Sequence, residues 1–377
     1  MLKRYAAVVP VLLLCAAACA APPEFGSEAG PLAVTEVAKG LENPWSLAFL
    51  PDGRMLVTER PGRLRIVSAQ GAVSAPLANV PAVAARGQGG LLDVVLAPDF
   101  AVSKQIVFSY SEPRGTQNGT AIARAKLGDA GLSDVKVIFR QQPSMDSGHH
   151  FGSRLAFAAD GNLFATMGER NKGRDLAQLR DNHIGKVIRI RLDGRAPADN
   201  PYADGKQGAA EVWSYGHRNP QGAAIHPQSG KLWIHEHGPK GGDEINIALA
   251  GRNYGWPVIT YGREYSGRAV GDGLSSAPGM EQPIHYWVPS IGPSGMAFYT
   301  ADRFGAWRGN LFVGSLKFGQ LVRLQLDGDK VVHEERLLDG MKQRIRDVRQ
   351  GPDGYLYLLT DSTQGSILRV GLAAPGR

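Results

Sequence analysis

The sequence predicts an all-β chain, a six-bladed β-propeller with four-stranded antiparallel blades. Three observations predict it. A hairpin unit recurs six times: a short apolar strand, a turn rich in Pro, Asp and Gly, and a second apolar strand. The units begin at Ser46, Leu92, Arg154, Gly222, Gly295 and Asp347, spaced roughly 45–75 residues apart, where propeller repeats run near 40–50. Several units then add a third strand, as in GRLRIV, GKVIRIRLDG, GQLVRLQLDG and GSILRVG. Finally, 48 glycines, 24 prolines and only 20% charged residues suit short strands joined by turns rather than long exposed helices. Radial repetition satisfies such units best, because it leaves only short, protected sheet edges. A pair of β-sandwiches would not repeat the Pro-Asp-Gly turn so regularly.

Taken in order, the chain opens on Lys3 and Arg4, then an apolar stretch from Tyr5 to Leu14 and small residues, CAAACAA. That is the pattern of a secretory signal over 1–20, too short for a membrane span, with cleavage after Ala20. Cys19 also offers a weaker lipid-attachment site. Residues 21–31 read as a flexible lead-in, and 32–373 as the propeller domain. The stretch LAVTEVA from Leu32 is expected to supply the fourth strand of the last blade and close the ring. Both cysteines, Cys15 and Cys19, fall in the leader, so the folded domain has no internal disulfide and relies on burial. Asp175 to Asn182 is expected to form a short helix. The net charge of +7 comes without a Lys/Arg run with interleaved aromatics. This argues against nucleic acid and for a small anionic ligand or an anionic envelope surface.

The central unit is DSGHHFGSRLAFAADGNLFATMGER, from Asp146 to Arg170. Its Asp160-Gly161 turn makes it a hairpin. His149 and His150 at one end therefore share an edge with Glu169 and Arg170 at the other. Polar residues of other units collect at the equivalent edge. Gln88 precedes the second unit, and Arg218 and Asn219 the fourth. Gly238, Pro239 and Lys240 follow the second strand of the fourth, Lys317 follows that of the fifth, and Arg344 and Arg346 precede the sixth. Loops from five blades thus converge on one face around the axis. Arg344 and Arg346, two apart, point the same way if extended. Four cations there suit a planar polyanion, since arginine binds carboxylates in a bidentate fashion. Carbonyls of the Gly238-Pro239 turn suit a hard cation such as Ca²⁺. A histidine of the pair is the expected proton acceptor. If the strand start is extended, His149 and His150 face opposite ways.

HFGSRL at His150, YGHRNPQG at Tyr215, EHGPKGGDEIN at Glu236, NYGWP at Asn253 and QRIRDVRQGPDGYLY at Gln343 together resemble the pyrroloquinoline quinone (PQQ)-dependent soluble aldose sugar dehydrogenases, within the glucose/sorbosone dehydrogenase family. The resemblance runs from about Val34 to Val370 and carries its own six-bladed propeller. It implies oxidation of the C1 hydroxyl of an aldose to the lactone in the periplasm, with His150 as general base and hydride passing to PQQ. By the same resemblance Arg218 stabilises charge on the quinone oxygen, and Gln88, Arg218, Asn219, Lys317, Arg344 and Arg346 contact PQQ. Tyr265 packs on the cofactor plane. Gly238 and Pro239 hold the cofactor's Ca²⁺, and Glu244 and Tyr254 match a second, structural Ca²⁺ position. The chain lacks room for the extended loops of the larger dimeric glucose dehydrogenases, so a monomer is expected. Two other functions compete: a Ca²⁺-dependent lactonase or other hydrolase on a six-bladed propeller, and a non-catalytic binding propeller in the envelope.

Overall fold

A computed structural model describes residues 24–373. The leader, Cys19 and the cleavage site lie outside the described residues. Six antiparallel sheets are arranged about a central axis. Their innermost strands are Pro44–Phe49, Leu91–Leu96, Gly152–Phe157, Pro220–Ile225, Pro293–Phe298 and Ile345–Gln350, and each neighbours the next until the sixth meets the first. We number the blades one to six in that order. The expected closure occurs: Leu32–Leu41 pairs antiparallel with Gly365–Leu372, from Leu32 opposite Leu372 to Leu41 opposite Gly365. Joining the N-terminal strand to the C-terminal blade removes two free edges at once.

Blades two to five have four strands each, and the first has three. Its fourth place is taken by an irregular run in which Ser74 N–H donates to Ile66 O and Leu77 N–H to Leu64 O. Pro76 lies in that run and has no N–H to give a ladder. The sixth blade has a fifth strand, Glu24–Phe25, paired to Ala33 and Leu32. The lead-in expected to be flexible is therefore docked from Glu24 onward. Glu28 reaches His333 Nε2 at 2.7 Å and also pairs with buried Arg323. In place of a helix over Asp175–Asn182 there is one 3-10 turn, Arg174–Gln178.

Apolar side chains from facing sheets fill the spaces between blades. Leu56, Leu64, Val94 and Phe108 fill the gap between the first and second, and Trp233, Ile245, Met296 and Leu311 that between the fourth and fifth. No helix among the described residues is long and apolar enough to cross a membrane.

One feature recurs in all six blades. The pairing of innermost and second strand slips near the start of the innermost strand: between Pro44 and Ser46, Leu91 and Val94, Gly152 and Leu155, Pro220 and Gly222, Ser294 and Met296, and Ile345 and Asp347. A bulge bends the strand and re-aims its side chains. Six bulges at one end of a ring turn six sets of side chains off the pleat at the same level. This is the edge on which the polar residues were expected to collect.

Candidate active site

At that edge lies a cavity of about 510 Å³, within the size range of small-ligand sites. Gln88, Asn219, Lys317, Arg344 and Arg346 all line it, so five of the residues picked from the sequence are brought together. Four cationic side chains, Arg60, Lys317, Arg344 and Arg346, face it against one carboxylate, Asp361. Arg344 and Arg346 do share a target. Asp361 Oδ2 accepts from Arg344 Nε at 3.1 Å, from Arg344 Nη2 at 2.9 Å and from Arg346 Nη2 at 3.0 Å. Burial alone would raise the Asp361 pKa, but Arg346 and Arg344 hold it down at about 2. Arg346 is further fixed by Gln221 Oε1 and Ser294 Oγ, and its Nε is buried without a partner among the described residues. A buried, unpartnered guanidinium N–H beside a cationic cavity is a donor awaiting an anion.

His150 directly precedes the cavity-lining residues Phe151 and Gly152. It is buried, whereas His149 is exposed. The separation does not come from an extended strand start. His150 has φ +48°, in the left-handed region, and the bulge follows it at Gly152. Two contacts hold it there: its N–H donates to Gln88 Oε1 at 2.8 Å, and Nδ1 lies 2.7 Å from Glu169 Oε1. An ionised Glu169 accepts the Nδ1–H, leaving Nε2 as the basic nitrogen. Nε2 has no protein partner among the described residues. Burial lowers the His150 pKa to about 4, against the opposing pull of Glu169. The imidazole is therefore neutral at pH 7.

Arg218 lies beside a small recess shared with Gly238, Glu244, Tyr254 and Trp256. Its N–H donates to Glu236 Oε2 at 2.6 Å, and Nη1 donates to the carbonyls of Gly238 at 2.8 Å and His237 at 3.1 Å. The Gly238 oxygen is thus already engaged, but a carbonyl has a second lone pair. A Cβ at Gly238 would stand 2.2 Å from Gly241 O and 2.3 Å from Gly242 O, so only glycine allows this packing of carbonyls. Backbone oxygens are the right chemistry for Ca²⁺. Among the described residues no group of three His, Cys, Asp or Glu side chains could hold a metal ion. Tyr254 stacks on His217, and its hydroxyl donates to Ile247 O and accepts from Leu249 N–H. That hydroxyl is committed to the backbone. Glu244 is half-buried, and desolvation together with the neighbouring Glu236 raises its pKa. Tyr265 is not brought to the cavity: it is 75% exposed. It lies on a loop whose Glu264 pairs with Arg174 at 2.7 Å.

Several cavity residues were not picked from the sequence. Arg60 and Asp361 directly follow second strands, Met55–Glu59 and Leu356–Thr360. The edge rule that picks Gly238 and Lys317 reaches both when applied to every blade. Trp45 and Gln221 are lining residues as well.

A six-bladed propeller with a cationic cavity on its axis, and a neutral histidine paired with a buried glutamate next to its lining residues, defines the class: a propeller that presents a concave cationic site. The chain belongs to the glucose/sorbosone dehydrogenase family, whose profile matches residues 41–369. It is 47% identical over 368 residues to the aldose sugar dehydrogenase YliI of Escherichia coli, covering 96% of this chain and 97% of that protein. The crystal structure of the soluble aldose sugar dehydrogenase of Escherichia coli in its apo form matches at 48% identity and TM-score 0.87, over 91% of this chain and 100% of the other. The PQQ-bound aldose sugar dehydrogenase of Streptomyces coelicolor matches at 29% identity and TM-score 0.74, over 93% and 100%.

Proposed function

We propose that this protein is an exported, PQQ-dependent aldose dehydrogenase that oxidises the C1 hydroxyl of an aldose to the lactone. The observation that carries this reading is the His150–Glu169 pair directly preceding the Phe151-Gly152 lining of a cationic cavity. Four cations against one carboxylate leave a surplus of three positive charges, which matches the three carboxylates of PQQ. Arg346 and Arg344 would take cofactor carboxylates, with Gln88, Asn219 and Lys317 around them. The carbonyls of Gly238 and Pro239 would hold Ca²⁺, and the leader supplies export to the periplasm.

When bound, the quinone supplies the hydride acceptor. His150 removes the proton from the C1 hydroxyl through Nε2. It is competent at neutral pH because burial keeps it unprotonated. Glu169 fixes the ring through Nδ1 and balances the positive charge that forms on it. Gln88, bonded to the His150 N–H, holds the strained backbone at that position. Arg218 puts a fixed positive charge at the Gly238 end, where negative charge develops.

A metal hydrolase on this fold would need axial carboxylates free to reach the ion. Here Asp93 and Asp347, at the inner strands, are tied to Arg154 and Arg349. The test is reconstitution of purified apoprotein with PQQ and Ca²⁺, followed by dye reduction across a panel of aldoses. Aldose-dependent reduction that requires both additions supports the reading. A protein that binds no PQQ and reduces no dye rejects it.

A further inference from the structure

Beneath the cavity lies a buried ion cluster to which the proposed chemistry gives no role. Arg154 is at its centre and is 2% exposed. Its Nη1 lies 2.9 Å from Asp347 Oδ1 and 3.6 Å from Asp93 Oδ1. Its Nε donates to Gln221 O at 2.8 Å, and Nη2 donates to Arg346 O at 3.0 Å. The guanidinium also stacks over the Trp45 ring at 4.0 Å. One side chain of the third blade therefore touches the innermost strands of the first, second, fourth and sixth. The fifth joins through Ser294 Oγ, which donates to the same Arg346 carbonyl at 2.8 Å.

Three of these partners, Trp45, Gln221 and Arg346, line the cavity. Arg349 completes the cluster from the other side: it reaches Asp93 at 3.0 Å, Asp347 at 2.8 Å and Ser46 Oγ at 3.1 Å. None of those three residues lines the cavity. The two arginines thus share both aspartates, but only Arg154 touches the cavity floor.

We propose that Arg154 is a positioning residue for the cofactor: it sets the floor of the cavity by fixing the Arg346 and Gln221 backbone and the Trp45 ring in mutual register. This rests on the reading of the cavity as the PQQ site. A planar guanidinium with donors in a fixed fork can bridge two carbonyls and stack on an indole together, and an ammonium cannot. The cluster pairs two arginines with two aspartates, so it adds no net charge to the anion site. Its contribution to binding is geometric.

The test compares Arg154→Lys with Arg349→Lys, each of which keeps the cluster's charge and removes one planar fork. The readouts are apoprotein Tm, PQQ Kd by absorbance titration in Ca²⁺, and kcat and sugar KM at saturating PQQ. Both variants should lose thermal stability. Only Arg154→Lys should raise the PQQ Kd, by about 10–100-fold, the loss expected when a charged hydrogen bond to the ligand is misplaced. Its kcat at saturating PQQ should stay within about threefold of wild type, since the His150–Glu169 pair is untouched. Should Arg154→Lys fail to fold, Arg154→Gln/Asp347→Asn removes the facing charges together and carries the same expectation. Wild-type PQQ affinity in Arg154→Lys, or an equal loss of affinity in Arg349→Lys, overturns the inference. Failure of the wild-type protein to bind PQQ overturns instead the reading on which it rests.

Discussion

Replacing Glu169 by Gln isolates what the glutamate contributes to the proposed base. The substitution keeps the side-chain shape, and a Gln oxygen can still accept the Nδ1–H. What goes is the charge. In the structure the two side chains are 2.7 Å apart, with 10% and 2% of their surfaces exposed, so solvent screens little of the interaction. A hydrogen bond to a charged group is worth about 1.5–3 kcal/mol. The carboxylate exerts most of that on the imidazolium, which forms only as the proton moves. At about 1.4 kcal/mol per decade, kcat should fall about 10–100-fold. The direction of the pH effect follows as well. Burial lowers the His150 pKa to about 4, while Glu169 pulls it up. Without that pull the pKa falls further, the imidazole is a weaker base, and the acid limb of kcat moves to lower pH. The assay is dye reduction at saturating PQQ and sugar from pH 3 to 8, with PQQ Kd and apoprotein Tm measured alongside. A kcat within about twofold of wild type, with the acid limb unmoved, would refute the argument that this carboxylate supports the base.

His150→Ala should lower kcat about 10²–10⁴-fold while PQQ still binds, and His149→Ala should leave kcat near wild type because that ring is exposed; a dead His149 variant would mean the wrong member of the pair has been chosen. Arg346→Ala should raise the PQQ Kd about 10–100-fold, since Arg346 is buried, whereas Arg344, with 53% of its side chain exposed, should cost no more than about tenfold; equilibrium titration of both variants checks the order. Exhaustive chelation should abolish dye reduction, and Ca²⁺ with PQQ should restore it; activity indifferent to chelation removes Ca²⁺ from the Gly238-Pro239 carbonyls.

The fold was legible because a propeller writes its period into the chain. Each blade needs the same apolar strands and the same turn chemistry, so the Asp160-Gly161 turn and its counterparts recur at blade spacing. The closing strand from Leu32 was legible for the complementary reason: the last unit lacked a partner. The convergence of Gln88, Asn219, Lys317, Arg344 and Arg346 followed from one rule, that strand starts and second-strand ends share an edge. The rule carries no rotation. Side-chain direction along a strand alternates only while pairing stays in register, and every innermost strand has a bulge where the site begins. The left-handed backbone at His150 is of the same kind: histidine takes up φ +48° more readily than most residues, but not often enough to mark one position in sequence. Tyr265 illustrates a different limit. It sits in the long connection between strands Asp243–Ile247 and His285–Trp287, where no periodicity relates position to place.

The repeat also explains why a histidine–glutamate pair does not by itself mark a base. Two such pairs occur on successive blades, each spanning 19 residues from a strand start to a second-strand end: His150 with Glu169, and His217 with Glu236 at 2.9 Å. In both, Nδ1 faces the carboxylate. Their other atoms differ. His217 is fully buried, its Nε2 is 2.9 Å from Ser214 Oγ, and Tyr254 covers its ring. The second oxygen of Glu236 accepts the Arg218 N–H, while that of Glu169 has no partner among the described residues. With both ends of its imidazole satisfied, the His217 pair fixes the backbone that presents Arg218. In the His150 pair Nε2 has no protein partner among the described residues. One blade device thus occurs in two settings, which differ in the atom opposite Nε2. That atom is set by the neighbouring loops, which lie outside the repeat.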